Sequence, residues 1–139
     1  MKIGYTTGVF DLFHIGHLHL LKNAKEKCDQ LIVGVSSDSL VCKLKSKYPL
    51  ISLSERVEII QSIKYVDKVI VEHADDKIQA WKDLKFDMIF KGDDWKGTEK
   101  WNLLSNFFKS KNVEVVFLPY TKSTSSSLIK TICESTEVE

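Results

Sequence analysis

Cysteine is scarce in this chain of 139 residues: Cys28, Cys42 and Cys133 are odd in number and far apart, and no CxxC pair occurs. That excludes a disulfide framework and a redox dithiol, and leaves reduced thiols, with Cys28 in a core position. Charge of one sign is also lacking. A formal net charge of +1 is too small for a general nucleic-acid binder or a strongly charged membrane-surface protein. No apolar run approaches the roughly 18 residues of a spanning helix, so no membrane insertion is expected. Met1-Lys2 runs straight into a strand without a signal-peptide pattern, and a cytoplasmic location is expected. No G-x-G-x-x-G follows the first strand, which disfavours a nicotinamide dehydrogenase. His14, His17 and His19 lack a fourth cysteine or carboxylate ligand at zinc spacing, so no resident metal is assigned. There is no internal repeat.

What is present is ordinary for a globular protein, with 43% hydrophobic and 28% charged residues. The length predicts one domain that buries about two thirds of its unfolded surface. That domain is expected over residues 1–134, with a frayed tail at 135–139. Strand-like and helix-like stretches alternate. Ile3, Tyr5, Thr6 and Thr7 open as a strand, and Leu18, Leu21, Ala24 and Cys28 mark one face of a helix. Further strands are expected at Leu31–Val35, Val69–Val71, Phe86–Phe90 and Val113–Leu118, the last stopped by Pro119. Between them lie amphipathic runs carrying Val57, Ile60 and Ile63, then Ile78, Trp81 and Leu84, then Trp101, Leu104 and Phe108. The first of these opens on a capping box from Ser52 to Glu55. A final helix carries Leu128, Ile129 and Ile132. Five strands with helical crossovers predict a single-domain α/β fold, a doubly wound parallel five-stranded sheet.

The chain is organised around Gly8-Val9-Phe10-Asp11-Leu12-Phe13-His14-Ile15-Gly16-His17, where the first strand hands over to the first helix. Ligands collect outside the carboxyl ends of such strands, and exposed N–H groups of a helix N-terminus favour anions there. His14 and His17, three apart, can share a helix face and address one ligand. Gly16 lets backbone or ligand come close. Lys43, Lys45 and Lys47 read as a mobile cationic loop that neutralises phosphates, or as solvated surface. Arg56 places a cation in a first helical turn, against the helix dipole, so it serves something other than helix stability. A salt bridge to Glu55 or Asp38 is the plain alternative. Asp93 and Asp94 sit at the ligand edge, where they can hold a nucleotide or a divalent ion, and Trp95 can wall a pocket. The hydroxyl run from Thr121 to Ser127 joins a strand to a helix, where it can cap the helix and donate to phosphates.

GVFDLFHIGH resembles the GxFDxxHxGH signature of the cytidylyltransferase branch of the nucleotidyltransferase superfamily, and the lead-in makes the match stronger than HxGH alone. The resemblance implies a Rossmann-like nucleotidyltransferase fold and an enzyme that transfers CMP from CTP to a small phosphate monoester, with Mg²⁺ accompanying the triphosphate and a homodimer as the assembly. GDDW followed by Gly97 resembles the glycerol 3-phosphate-specific members, whose products are CDP-glycerol and pyrophosphate. By the same resemblance His14, His17, Lys43 and Lys45 are catalytic. Gly8, Val9, Phe10, Asp11, Gly16, Asp93, Asp94, Thr121, Ser125, Ser126 and Ser127 hold the nucleotide. Asp38, Arg56, Lys64 and Trp95 serve the acceptor. Two motifs depart from the family. Lys64-Tyr65-Val66-Asp67 stands for R-Y-V-D, which lies near the acceptor site and dimer contact, and a lysine lacks the arginine's planar fork. Tyr120-Thr121-Lys122-Ser123-Thr124-Ser125-Ser126-Ser127 stands for R-T-x-G-I-S-T-T, so Tyr120 replaces an arginine whose charge Lys122 can supply. The signature alone does not choose CTP over ATP, or glycerol 3-phosphate over choline phosphate or a sugar phosphate. A catalytically weak nucleotide-binding module is the non-enzymatic alternative.

Overall fold

The middle strand of the sheet is β1 (Ile3–Gly8), and the computed structural model, which describes residues 1–119, arranges the other elements about it. In chain order there follow α1 (Ile15–Glu26), β2 (Gln30–Ser36), α2 (Asp38–Lys45), α3 (Leu53–Gln61), β3 (Lys68–Glu72), α4 (Lys77–Leu84), β4 (Met88–Gly92), a 3-10 turn (Asp93–Trp95), α5 (Glu99–Ser110) and β5 (Glu114–Leu118). The strands lie in the order β3-β2-β1-β4-β5, and every pair is parallel. This is the doubly wound sheet that the alternating pattern predicts. The chain leaves β1 toward β2 and β3, then crosses back to place β4 on β1's other side. A crevice opens at the carboxyl ends where the winding reverses.

Successive strand residues face opposite sides of the sheet. Leu31, Val33 and Val35 of β2, with Met88 and Phe90 of β4, pack against Leu21 and Ala24 of α1 and Ile60 of α3. Tyr5, Ile32 and Ile89 face the other way, into a core with Phe86 and with Trp101 and Phe108 of α5. Gly34 is required by a close approach: a Cβ there would stand 2.5 Å from the Tyr5 hydroxyl. The bare backbone lets that hydroxyl cross β2 and donate to Glu72 of β3 at 2.9 Å. No helix among the described residues is long and apolar enough to cross a membrane.

The expected strands are all present, with edges shifted by up to two residues. Phe86 lies before β4, because the Asp87 carboxylate there takes the Ile3 amide and closes the sheet's lower edge. Three corrections concern local structure. The lysine stretch is not a loop: Ser37 caps α2 by accepting from the Leu40 amide, and Lys43 and Lys45 fall in its last turn, where cations suit the helix dipole. Only Lys47 lies in the connection beyond. The capping box at Ser52 does not form; its hydroxyl donates to the Glu55 carboxylate instead of accepting from the helix backbone. The segment from Lys64 to Asp67 precedes β3, on the amino-terminal edge of the sheet and away from the crevice. There Asp67 accepts from the Leu31 amide and pairs with Lys25 at 2.6 Å. Lys64, expected at the acceptor, is exposed and lies over the Tyr65 ring. The expected last helix, Cys133 and the tail at 135–139 lie outside the described residues, as do Tyr120, Thr121, Lys122, Ser125, Ser126 and Ser127.

Candidate active site

The crevice is an open cavity of about 670 Å³ with three differently built walls. The first is the β1–α1 turn. Phe10 (φ 55°) and Leu12 (φ 51°) both take the left-handed conformation that L-residues avoid, and so fold the chain back at the end of β1. His14 then caps α1. Its Nδ1 accepts from the Gly16 amide at 3.0 Å, while the His14 amide donates to Nδ1 of His17 at 3.2 Å. The two histidines thus form a reciprocal capping box in place of the usual serine and glutamate. Their rings stack with centroids 3.9 Å apart, and Phe10 meets His17 edge-on. The sequence spacing brings them together, but as N-cap and third helical residue rather than as two positions on one helix face.

This geometry fixes their chemistry. Each Nδ1 is an acceptor, so in the neutral ring the proton sits on Nε2. Burial pushes His17 down to about 4, with the His14 ring adding to the shift and Asp11 opposing it. Burial also holds His14 below its usual value. Both rings are therefore neutral near pH 7, and each offers one Nε2–H beside a helix N-terminus whose first turn carries no acidic residue. Such a wall suits an anion whose charge grows during reaction.

Behind this wall stands a brace. The Asp11 carboxylate, buried, accepts from the amides of Leu50 and Ile51, each at 2.9 Å. Arg56 is fully buried and donates to the carbonyls of Val9, Ser36 and Ile51 and to Asp38. Asp11 reaches the cavity wall, whereas Arg56 and Asp38 do not. Arg56 and Asp38, expected at the acceptor, are thus placed behind the cavity lining. The buried cation against the helix dipole has a structural reason: it ties the β1–α1 turn, the end of β2 and the α2–α3 connection together.

The second wall is the end of α2 and the segment after it. Lys45 and Lys47 reach the cavity with Leu44, Tyr48 and Pro49, while Lys43 does not. Among the other expected residues, Gly8, Val9, Phe10, Gly16, Asp94 and Trp95 all line the cavity, and Asp93 stays outside the lining.

The third wall was not expected from the sequence. Lys77 pairs with Glu72 at 2.7 Å and with Asp75 at 3.0 Å, and Lys100 pairs with Asp75. The Tyr5 hydroxyl completes the set at Glu72, and burial, reinforced by Glu72, pushes that hydroxyl's pKa up. For Asp75, burial favours the neutral acid, but the contacts to Lys100 and Lys77 outweigh it and hold the carboxyl low. Lys91, next to last in β4, stands between the rings of Trp95 (4.8 Å) and Trp101 (5.9 Å). Burial, then Lys77 and Lys100, pull Lys91 down to about 8 against the pull of Asp94 and Asp75. Glu72 and Lys91 carried a readable signal, a charge at the carboxyl end of an apolar strand. Lys77 and Lys100 carried none, since each looks like any surface lysine near a helix start.

Among the described residues no group of three or more histidine, cysteine or acidic side chains is placed to hold a metal ion. Mg²⁺ that arrives with a nucleotide takes its ligands from phosphates and water and needs at most one or two carboxylates. Asp94 on the cavity wall fits that requirement.

Comparison with known proteins points the same way. A family model described as cytidylyltransferase-like matches residues 5–132. An FAD synthase of Pyrococcus abyssi is 40% identical over 135 residues, covering 91% of this chain and 89% of that protein. The glycerol-3-phosphate cytidylyltransferase of Bacillus subtilis is 39% identical over 131 residues, covering 94% and 95%. Among solved structures, a lipopolysaccharide core biosynthesis protein from Thermoplasma volcanium superposes with a TM-score of 0.75 at 32% identity, over 88% of this chain and 99% of that one.

Proposed function

The chain belongs to the cytidylyltransferase-like family of nucleotidyltransferases, and on that premise we propose that it transfers CMP from CTP to glycerol 3-phosphate, giving CDP-glycerol and pyrophosphate. An acceptor phosphate oxygen forms a bond to the α-phosphorus. The bond from that phosphorus to the oxygen bridging to the β-phosphate breaks, and pyrophosphate leaves. Direct displacement needs no nucleophilic side chain. It needs donors aimed at charge that builds on the oxygens around the α-phosphorus. The observation that carries the reading is the reciprocal histidine cap, which holds two neutral Nε2–H donors at a helix N-terminus on the cavity wall. Lys45 and Lys47, on the adjoining wall, add positive charge for the triphosphate tail, and Mg²⁺ accompanies CTP. Asp94 holds the nucleotide side and Trp95 walls the acceptor. A homodimer belongs to the same proposal and is read by sedimentation.

A second reading follows from the Pyrococcus relative. With ATP as donor and a flavin phosphate as acceptor, the same chemistry would build FAD, the product for which that protein is named. The half-exposed Trp95 ring, 42% accessible on the cavity wall, would give a flat ring a stacking surface. Pyrophosphate release separates the readings when CTP and ATP are crossed against glycerol 3-phosphate, choline phosphate, a sugar phosphate and flavin mononucleotide. Release only from CTP with glycerol 3-phosphate supports the first reading. Release only from ATP with the flavin replaces it with the second. CTP binding without release from any pair leaves a nucleotide-binding module.

A further inference from the structure

Among the described residues, Lys91 is the one cation of the third wall that no carboxylate meets at contact distance. Lys77 and Lys100 are each held by carboxylates. Lys91 makes no ion pair or hydrogen bond among the described residues, and its ammonium rests against two indole rings. A cation–π contact of this kind is worth about 1 kcal/mol, less than a charge-assisted hydrogen bond. A half-buried ammonium left this way is stabilised by an anion entering the cavity it lines. The placement says which reactant brings that anion. The histidine cap belongs to α1, which packs on one face of the sheet, while Lys91 stands beside Trp101 of α5, which packs on the other. The two features approach the carboxyl edge from opposite faces, with the switch between β1 and β4 dividing them. Two negatively charged reactants that must meet need separate sources of neutralisation, one on each side of the reacting phosphorus.

We propose that Lys91, set between Trp95 and Trp101, binds the oxyanion of the acceptor, a phosphate monoester, and so selects anionic acceptors over neutral ones. The paired lysines around it carry out a supporting task. Glu72 and Asp75 neutralise Lys77 and Lys100, so the described residues of the wall present a single open cation rather than a diffuse basic patch. This inference rests on the nucleotidyl-transfer reading but does not depend on which acceptor is the natural one.

The test is a titration of inorganic phosphate, the chemistry shared by all such acceptors, into the full chain with and without saturating CTP and Mg²⁺. Tryptophan fluorescence reports the site, since Trp95 and Trp101 flank Lys91. Lys91→Met, which keeps the length and loses the charge, is expected to weaken phosphate binding about tenfold or more and to leave CTP affinity within about twofold. Lys91→Arg is expected to retain most of the phosphate binding, which separates a charge contact from a packing role. No phosphate binding by the parent, unchanged phosphate affinity in Lys91→Met, or a loss of CTP affinity as large as the loss for phosphate overturns the proposal. The two readings fail separately. Phosphate binding through Lys91 without pyrophosphate release from any donor and acceptor pair sinks the enzymatic function. Pyrophosphate release by Lys91→Met with the parent's acceptor KM sinks the role given to Lys91.

Discussion

The histidine wall and the ion-paired third wall line one cavity and are built by opposite means. The first is local: His14, Gly16 and His17 lie within four consecutive positions and hold one another through two hydrogen bonds from backbone amides to the histidine rings. It is neutral, and its power to bind anions comes from N–H groups and a helix end. The second is assembled from β3, the loop after it, α4, β4 and α5, and its members carry formal charges that mostly cancel. A local wall keeps its geometry when its surroundings shift. An assembled wall depends on topology, and can change its open charge by exchanging one residue. The fixed chemistry of the reaction suits the first kind of wall, and the choice of acceptor suits the second.

The largest expected effect breaks the local wall. His14→Ala or His17→Ala removes one donor to the transition state and is expected to lower turnover about 10²- to 10³-fold, roughly 2.7–4 kcal/mol, while CTP affinity falls less. Each change also opens the reciprocal cap, at a cost to stability of about 1 kcal/mol. Steady-state rates with CTP titrations and thermal melts read the three quantities apart. Turnover near that of the parent in both variants removes the histidines from the chemistry.

Next in size is the brace behind that wall. Arg56→Met takes the Arg56 donor from the Val9, Ser36 and Ile51 carbonyls and from Asp38, which keeps the Leu53 amide. Unsatisfied buried acceptors cost about 1–3 kcal/mol each before relaxation. A stability loss of about 3 kcal/mol is expected by denaturant unfolding, along with weaker CTP binding because the turn at Val9 loosens. If Arg56→Met keeps the parent's stability but loses acceptor affinity, Arg56 touches the acceptor and the brace is misassigned.

These two regions also show what the sequence could and could not reveal. The strand-to-helix handover and the histidine pair were legible because their signals are short-range: β-branched residues before Gly8, helical spacing after Leu18, and a dense motif between them. The sheet's class was legible because apolar runs alternate with amphipathic ones. Arg56 was legible as an anomaly, but its partners stand at sequence separations of 47, 20, 18 and 5 residues, so its direction was not. The helix at Lys43 and Lys45 was missed because lysines mask the sparse apolar positions Leu40 and Val41, the only buried residues it has. Lys64 was placed by motif alone, and the parallel topology carries it to the far edge. The third wall was missed because ion pairs between separate elements leave no periodic trace.

A smaller effect divides the lysines after β2. Lys45→Ala with Lys47→Ala removes two charges from the cavity wall and is expected to weaken CTP binding several-fold, with a steep salt dependence. Lys43→Ala, off the lining, is expected to leave CTP binding unchanged. Equal losses from Lys43→Ala and from the pair would mean that α2 acts only as a diffuse positive field.

The smallest expected effect separates the two walls by pH. His17 titrates near 4 in the fold against an ordinary 6.5. Between those values the unfolded chain binds a proton that the folded one does not, so stability falls as pH drops through that window. Lys91 titrates near 8 against an ordinary 10.5. There too the unfolded chain holds the extra proton, so the stability this lysine withholds below pH 8 returns as pH rises through 8 toward 10.5. The groups that face Lys91 across the wall are Lys77 of α4, Lys100 of α5, Asp94 of the 3-10 turn and Asp75 of the loop before α4. Tyr5 acts the other way above its ordinary value of 10, because its raised pKa keeps the folded state protonated while the unfolded one ionises. Cys28 opposes Lys91 in the same way above its ordinary value of 9, because burial raises it, so the clean interval for Lys91 is about pH 8 to 9. Solvent at the cavity mouth screens both groups, so each contribution is modest. Urea midpoints for the parent, His17→Gln and Lys91→Met across pH 4 to 10 are expected to show His17→Gln flattening only the acid limb and Lys91→Met flattening only the alkaline one. If one substitution flattens both limbs, the two walls are coupled through the fold and are not the independent units that their construction implies.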